Sequence, residues 1–274
     1  MDEAVAEEGY CSGGMKMRLY AKYVAMHFKS QMQYKTSFFF TSLGQFGVSF
    51  VTLLGINFMF ARFDSVGGFT HEEVLICFAV MMTAFSTAEL FGRGFDIFPR
   101  MLGDGSFDRV LVRPRNIIFQ VLAHKIEFSR LGRLINAVIV LIYALPRSGV
   151  EWTWDKIFTL CLMIICGALV FFGLFVVYAA ISFFTVQGLE FMNVLTDGGR
   201  EHGRLPFSVY GDGVLKFLTF VIPLALVQYY PLLYLIGREE SFLYALTPIL
   251  ALLFLLPCYA FFRYGLKRYK STGS

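Results

Sequence analysis

Apolar positions gather along the chain in six runs, at 36–60, 74–91, 117–145, 156–184, 215–234 and 242–264. The first, about 25 residues at 1.5 Å each, reaches roughly 37 Å and crosses a bilayer with some tilt. It holds no charge, only the polar Gln45 and Asn57. The third run carries Lys125, Glu127, Arg130 and Arg133 in its first half, so it starts as a helix outside the hydrocarbon. The fifth is interrupted by Pro223 and Pro231, and proline removes a backbone donor and kinks or stops a helix. Two readings stay open there: a single kinked span, or a shorter helix to about Tyr230 followed by a re-entrant outer segment over 231–237. The pattern predicts an all-α polytopic membrane protein of six transmembrane helices.

The polar stretches between the runs differ in kind. Residues 16–35 interleave Leu19, Tyr23, Met26 and Phe28 with Lys16, Arg18, Lys22, Lys29 and Lys35, which predicts an amphipathic helix in the headgroup region. Residues 92–116 hold five arginines, no lysine and two Gly-x-Phe-Asp-like repeats, and so much charge cannot lie in hydrocarbon. With the N-terminus placed in the cytosol, twenty basic residues fall inside and four outside (Arg62, Arg147, Lys156, Arg238). The positive-inside bias then puts both termini in the cytosol. Trp152 and Trp154 fit an interfacial aromatic belt on the outer side. Residues 1–15 read as a disordered leader, 16–270 as one permease domain and 271–274 as a disordered tail.

Composition sharpens the class. Hydrophobic residues make up 57% and charged residues 16% of the 274, against roughly a quarter charged in soluble domains. The chain is therefore an integral protein of the cell membrane. A net charge of +4 says little about nucleic acid, and none is expected as a partner. Five scattered cysteines without a CxxC read as buried free thiols.

Candidate chemistry is sparse. There is no phosphate-cradling G-x-x-x-x-G-K-[ST], and the Gly-x-Gly pairs lack the third glycine of a dinucleotide fingerprint. The apolar centres carry almost no ionisable residue of the kind ion-coupled carriers need. Glu89 is the exception. Its i, i+4 spacing to Arg93 predicts a structural ion pair at the inner membrane edge. His27, His71, His124 and His202 are isolated, and His71 with Glu72 and Glu73 reads as a solvated loop. Neither a metal site nor a catalytic set is expected, so the chain is not read as an enzyme.

A membrane protein of this kind with a large basic loop is one that is powered from outside. Here the residues resemble a family. Gly105-Ser106-Phe107-Asp108-Arg109-Val110-Leu111-Val112-Arg113-Pro114 after the second span, and Ile222-Pro223-Leu224-Ala225 with Tyr230-Pro231 in the fifth, are similar to the ABC-2-type transporter permeases. The match is closest to the small stand-alone permeases with a type V exporter-like fold. The resemblance implies that the 92–116 loop holds a coupling helix, docked by Gly105, Phe107, Asp108, Leu111, Arg113 and Pro114 into a separate ABC ATPase dimer. It implies a second permease subunit, identical or paralogous, and a re-entrant outer gate. ATP and Mg would belong to the ATPase alone, with no cofactor in this chain. An exposed Phe107 and Leu111 rimmed by charge would make a small apolar plug. Which of the two Gly-x-Phe-Asp-like copies docks stays open; the other role for Arg93, Phe95 and Asp96 is the elbow where the second span leaves the membrane.

The substrate path and gate are assigned to Phe217, Phe220, Pro223, Gln228, Tyr229 and Pro231. So greasy a lining favours export of a hydrophobic or amphipathic substrate. Two alternatives stand beside this reading: a non-transporting scaffold or sensor that recruits a cytosolic partner, and a lipid-acting enzyme using His124 and Glu127.

Overall fold

The computed structural model describes residues 13–185 and 191–270. Residues 13–15 of the leader already belong to the first helix, while the rest of it and the tail lie outside the described residues. The helices are α1 (Gly13–Met32), α2 (Lys35–Phe60), α3 (His71–Asp96), α4 (Phe98–Gly103), α5 (Asp108–Leu111), α6 (Ile117–His124) and α7 (Leu131–Ala144). They continue with α8 (Trp154–Ser182), α9 (Phe191–His202), α10 (Asp212–Phe220), α11 (Leu224–Leu235), α12 (Phe242–Ala251) and α13 (Leu255–Arg268). No β-strand occurs among the described residues, and five helical stretches are long and apolar enough to cross a membrane, or six if a sharply bent pair is one span. This is an all-α polytopic membrane protein.

The bundle is organised around α3, which packs against α7 on one side and α8 on the other, with residues 74–81 sealed from solvent. Its start is fixed by a capping box. The Thr70 hydroxyl accepts from the Glu73 N–H, and the Glu73 carboxylate accepts from the Thr70 N–H, which satisfies two of the orphan donors of the first turn. His71 meets Asn57 Oδ1 at 2.7 Å, so the His71–Glu72–Glu73 cluster serves the helix start. Two glycines set the closest approaches. A Cβ on Gly94 would stand 1.8 Å from the Val121 carbonyl oxygen, and one on Gly132 would stand 1.9 Å from that of Ser42. Backbone lies on backbone at both crossings, where no side chain fits.

The third apolar run, read as one helix that starts outside the hydrocarbon, is broken in two. Extended backbone at Lys125 separates α6 from α7, and the Glu127 N–H donates to the Leu90 carbonyl at 3.3 Å. The fifth run departs from expectation. Its break falls at Val221–Pro223, and α10 and α11 meet at 111°. Pro223 (φ −74°, ψ 44°) centres a tight turn in which the Leu224 N–H donates to the Ile222 carbonyl at 2.6 Å, close to an inverse γ-turn. Pro231, by contrast, sits inside the continuous helix α11, which runs on to Leu235. The sharp bend therefore falls between α10 and α11, and residues 231–235 continue α11 instead of forming a separate re-entrant segment.

The larger correction concerns the connection before it. Arg200 and Arg204, expected in a cytosolic loop, belong to α9 and the residues just after it, packed against the middles of α3 and α8. The Arg200 guanidinium stands 4.9 Å from the Phe85 ring centroid. Gly199 faces Leu224 and Phe171, and Gly203 faces Met81. Phe171 lies seventeen residues along α8 from Trp154, about 26 Å at 1.5 Å per residue. The chain reaches the far end only after this helix, where Val209 touches Gly67 in the loop between α2 and α3.

That end is tied together by Arg238, which stacks on Phe69 at 4.2 Å and donates to the Gly68 carbonyl at 2.6 Å and to Glu73 at 3.0 Å. Tyr234 adds a 2.5 Å bond to Asp155.

Candidate functional site: a cationic turn and a buried charge network

At the opposite end, α3 continues through Ile97 into α4, with Pro99 in the first turn of α4 where its missing N–H costs nothing. The chain then reverses at Asp104–Gly105. Gly105 has φ +69°, which only glycine adopts without strain, and Asp104 accepts from the Ser106 N–H at 2.9 Å. The hydrogen bonds from Ser106 hold the exposed Asp104 carboxyl below the usual carboxylate range. A single turn, α5, follows, ending at the exposed stretch 111–116.

Phe107 does not form the exposed plug predicted for it. It is fully buried, edge-on to Phe98 (4.9 Å) and Tyr269 (5.2 Å), with Phe183 at 5.8 Å. Asp108 accepts from the Tyr269 hydroxyl at 3.0 Å, and burial together with this bond pushes the phenol up to about 12. The reason is an aromatic cluster at the C-terminal ends of α8 and α13 that the linear sequence does not reveal. Phe107 and Asp108 thus anchor the turn. What the turn presents outward is Leu111 (40% exposed) and Val112 (83% exposed), followed by Arg113, Pro114 and Arg115. Val112 was not among the predicted site residues, although its position one residue beyond Leu111 marks it as the tip. The other Gly-x-Phe-Asp-like copy is internal: Phe95 packs on Phe172 and Phe262, and Asp96 pairs with Arg93.

Beneath the turn lies the buried charge network. Glu89 and Arg93 do approach, but only to 3.9 Å; the main partner of Glu89 is Arg133 of α7, at 2.8 Å, with Arg130 at 3.6 Å. Gln45 Oε1 accepts from both Arg133 (2.5 Å) and Arg130 (3.1 Å), which brings in α2. Arg93 turns instead to Glu127 at 2.9 Å and to Asp96. The i, i+4 rule identified a neighbour on one helix, whereas the geometry that decides the pairing spans three. Buried charges persist only when paired in this way.

α9 adds a second row of charge at the same depth. Arg200 pairs with Asp197 at 3.3 Å and with Glu201 at 2.5 Å, and Arg204 also pairs with Glu201. The row is partly open: the Asp197 side chain is 52% exposed and that of Glu201 35%.

The residues assigned to a path divide. Phe217 and Phe220 are exposed on α10. Tyr229 is half-buried beside Phe69 and Tyr230. Pro223, Gln228 and Pro231 are buried, and Gln228 donates at 3.0 Å to the carbonyls of both Gly203 and Leu205, tying α11 to α9. These three cannot line a path in this conformation. His124 and Glu127 are not paired with each other: Glu127 is engaged by Arg93, while His124 lines a cleft against α1. Among the described residues no group of three His, Cys, Asp or Glu side chains is placed to hold a metal ion.

Helices long and apolar enough to span a bilayer, packed around buried charge, define an integral membrane protein. The chain belongs to the ABC-2 family: a family model described as "ABC-2 family transporter protein" matches residues 46–273. It is thus a transmembrane permease of an ABC transporter, a transport component whose family associates with ABC ATPases. No match was found among curated proteins or among solved structures.

Proposed function

We propose that this chain is the permease of an exporter driven by a separate ABC ATPase dimer, which docks on the turn formed by Leu111, Val112, Arg113 and Pro114. The observation that carries this reading is the placement of Val112, a bare apolar tip on a turn anchored by Phe107 and Asp108 to the ends of α8 and α13. Arginines around an apolar centre are the usual composition of an interface anchor with a polar rim. A turn fixed to two spans transmits displacement to them. ATP and Mg bind the partner in this reading, and both termini lie in the cytosol. Even without the basic residues of the third run and without Arg200, Arg204 and Lys216, fourteen remain in the leader, the 92–116 loop and the C-terminal end, against four outside.

The substrate reading follows from α9. Half-exposed Asp197 and Glu201 at mid-span depth cannot face acyl chains, because ionic side chains in a bilayer face protein or a water-filled cavity. A second permease covering this face would enclose a polar cleft, bordered by the exposed aromatics Phe217 and Phe220. Charged row and aromatic border together favour an amphipathic substrate with a polar or charged group.

Two measurements test this. Reconstituted with its ATPase, the permease should support ATP-dependent flux, and a scaffold would give none. In a Cys11→Ser, Cys161→Ser background, Glu201→Cys should react with a membrane-impermeant thiol reagent, whereas Ile142→Cys on the exposed apolar face of α7 should not. Equal protection of both would contradict a water-lined α9 face.

A further inference from the structure

A cleft of about 530 Å³ separates α1 from the α5–α6 segment, with Tyr23 and His27 on one wall and Arg113, Arg115, Gln120 and His124 on the other. Its volume is that of a small-molecule site. None of its lining residues is acidic, and both walls come from acid-free stretches of chain: no Asp or Glu occurs between Glu8 and Asp64, or between Asp108 and Glu127. Arg113 and Arg115 make no ion pair among the described residues.

The neutral groups are also poised. His27 Nε2 lies 3.0 Å from the Ala123 carbonyl. Gln120 donates to the carbonyls of Val110 (3.2 Å) and Arg115 (3.0 Å), which leaves its Oε1 buried with no partner in the protein. Burial and the neighbouring His27 hold the His124 imidazole below its ordinary range, against the nearby Asp104. An anion between them would relieve that repulsion.

Depth identifies the source of the anion. The other side of α1 bears an apolar groove of about 480 Å³ formed by Tyr20, Val24 and Phe28 with Phe128 of the following segment. A helix with an apolar groove on one face and a basic cleft on the other lies at the headgroup boundary, where acyl chains and phosphates are both within reach.

We infer that this cleft binds the phosphate of an anionic phospholipid from the adjacent leaflet, with Arg113 and Arg115 as its charge partners. Phosphatidylglycerol, whose phosphate carries a single negative charge and whose headgroup is otherwise neutral, is the probe. Because Arg113 and Arg115 follow Val112 directly, a bound lipid would brace α1 against the tip of the turn. The inference concerns lipid binding alone and stands whether or not the turn docks an ATPase.

The test uses the full chain in nanodiscs of mixed phosphatidylglycerol and phosphatidylcholine, with retained lipid counted by native mass spectrometry. The wild type should retain phosphatidylglycerol preferentially. R113Q/R115Q should weaken that retention about 30-fold, taking roughly a factor of five for each basic residue near a membrane surface. K267Q/R268Q, which removes two other basic residues near the same end, should leave it unchanged. Both double variants alter exposed side chains, and their folding is checked by thermal unfolding. Equal retention of the two lipids by the wild type, or undiminished retention by R113Q/R115Q, would overturn the assignment. So would displacement of the lipid by inorganic phosphate at equal concentration, which would make this a site for the free ion.

Discussion

Replacing Val112 with aspartate is expected to abolish co-purification with the ABC ATPase and ATP-dependent transport, while leaving the thermal stability of the permease unchanged. Val112 is 83% exposed and contributes little to the core, so the substitution changes almost nothing in the free protein. In a docked complex it would place a carboxylate in a desolvated apolar pocket. Central anchors of this kind cost 2 kcal/mol or more when lost, about 30-fold in affinity. Leu111→Asp should act in the same direction. Phe107→Ala should behave differently, because Phe107 is buried among Phe98, Phe183 and Tyr269. It should lower stability by about 3–5 kcal/mol, as large-to-small core substitutions do. If Val112→Asp destabilised the permease as much as Phe107→Ala does, the tip would be structural and its role in docking would be lost.

Replacing Arg133 with methionine is the second large effect expected. It removes the closest partner of Glu89, which is 6% exposed, and leaves it only Arg130 at 3.6 Å and Arg93 at 3.9 Å. Removing one partner of a buried pair costs about 3–5 kcal/mol, whereas replacing both with apolar residues of similar volume is often neutral. Arg133→Met alone should therefore lower the unfolding temperature in detergent sharply, and Glu89→Met with Arg133→Met should recover most of the loss. Glu89→Gln should be milder than Arg133→Met, because Gln45 Oε1 still accepts from Arg133. A double variant no more stable than the Arg133→Met single would contradict the pairing.

How far the sequence could be read depended on how locally each feature is encoded. α2 and α8 are continuous apolar runs, so hydropathy alone locates them. The fifth run was partly legible: its prolines announce a disturbance, because a missing N–H acts on its own helix, but not that Pro223 breaks the run while Pro231 sits inside α11. α9 was not legible. Asp197, Arg200, Glu201 and Arg204 give it the composition of a solvated loop, and only its glycines, Gly199 and Gly203, hint at close packing against Phe171 and Met81. The turn was half legible: its basic residues and Gly105 mark it, yet which apolar side chain points outward depends on Tyr269, some 160 residues away. Glu89 illustrates the same limit. Its spacing to Arg93 is visible in sequence, but Arg133 and Gln45 reach it only once α7 and α2 are packed.

If a motor protein drives this permease through the turn between the second and third spans, it must meet the turn at its apolar tip. Site-specific photo-crosslinking in cells measures this directly, with a benzoylphenylalanine placed at position 112, at 107 or at 142. A crosslink to an ABC ATPase from position 112, with none from buried 107 or from the exposed apolar position 142, is the predicted result. A crosslink pattern in which 112 captures no ATPase, while the transporter remains active, would contradict it.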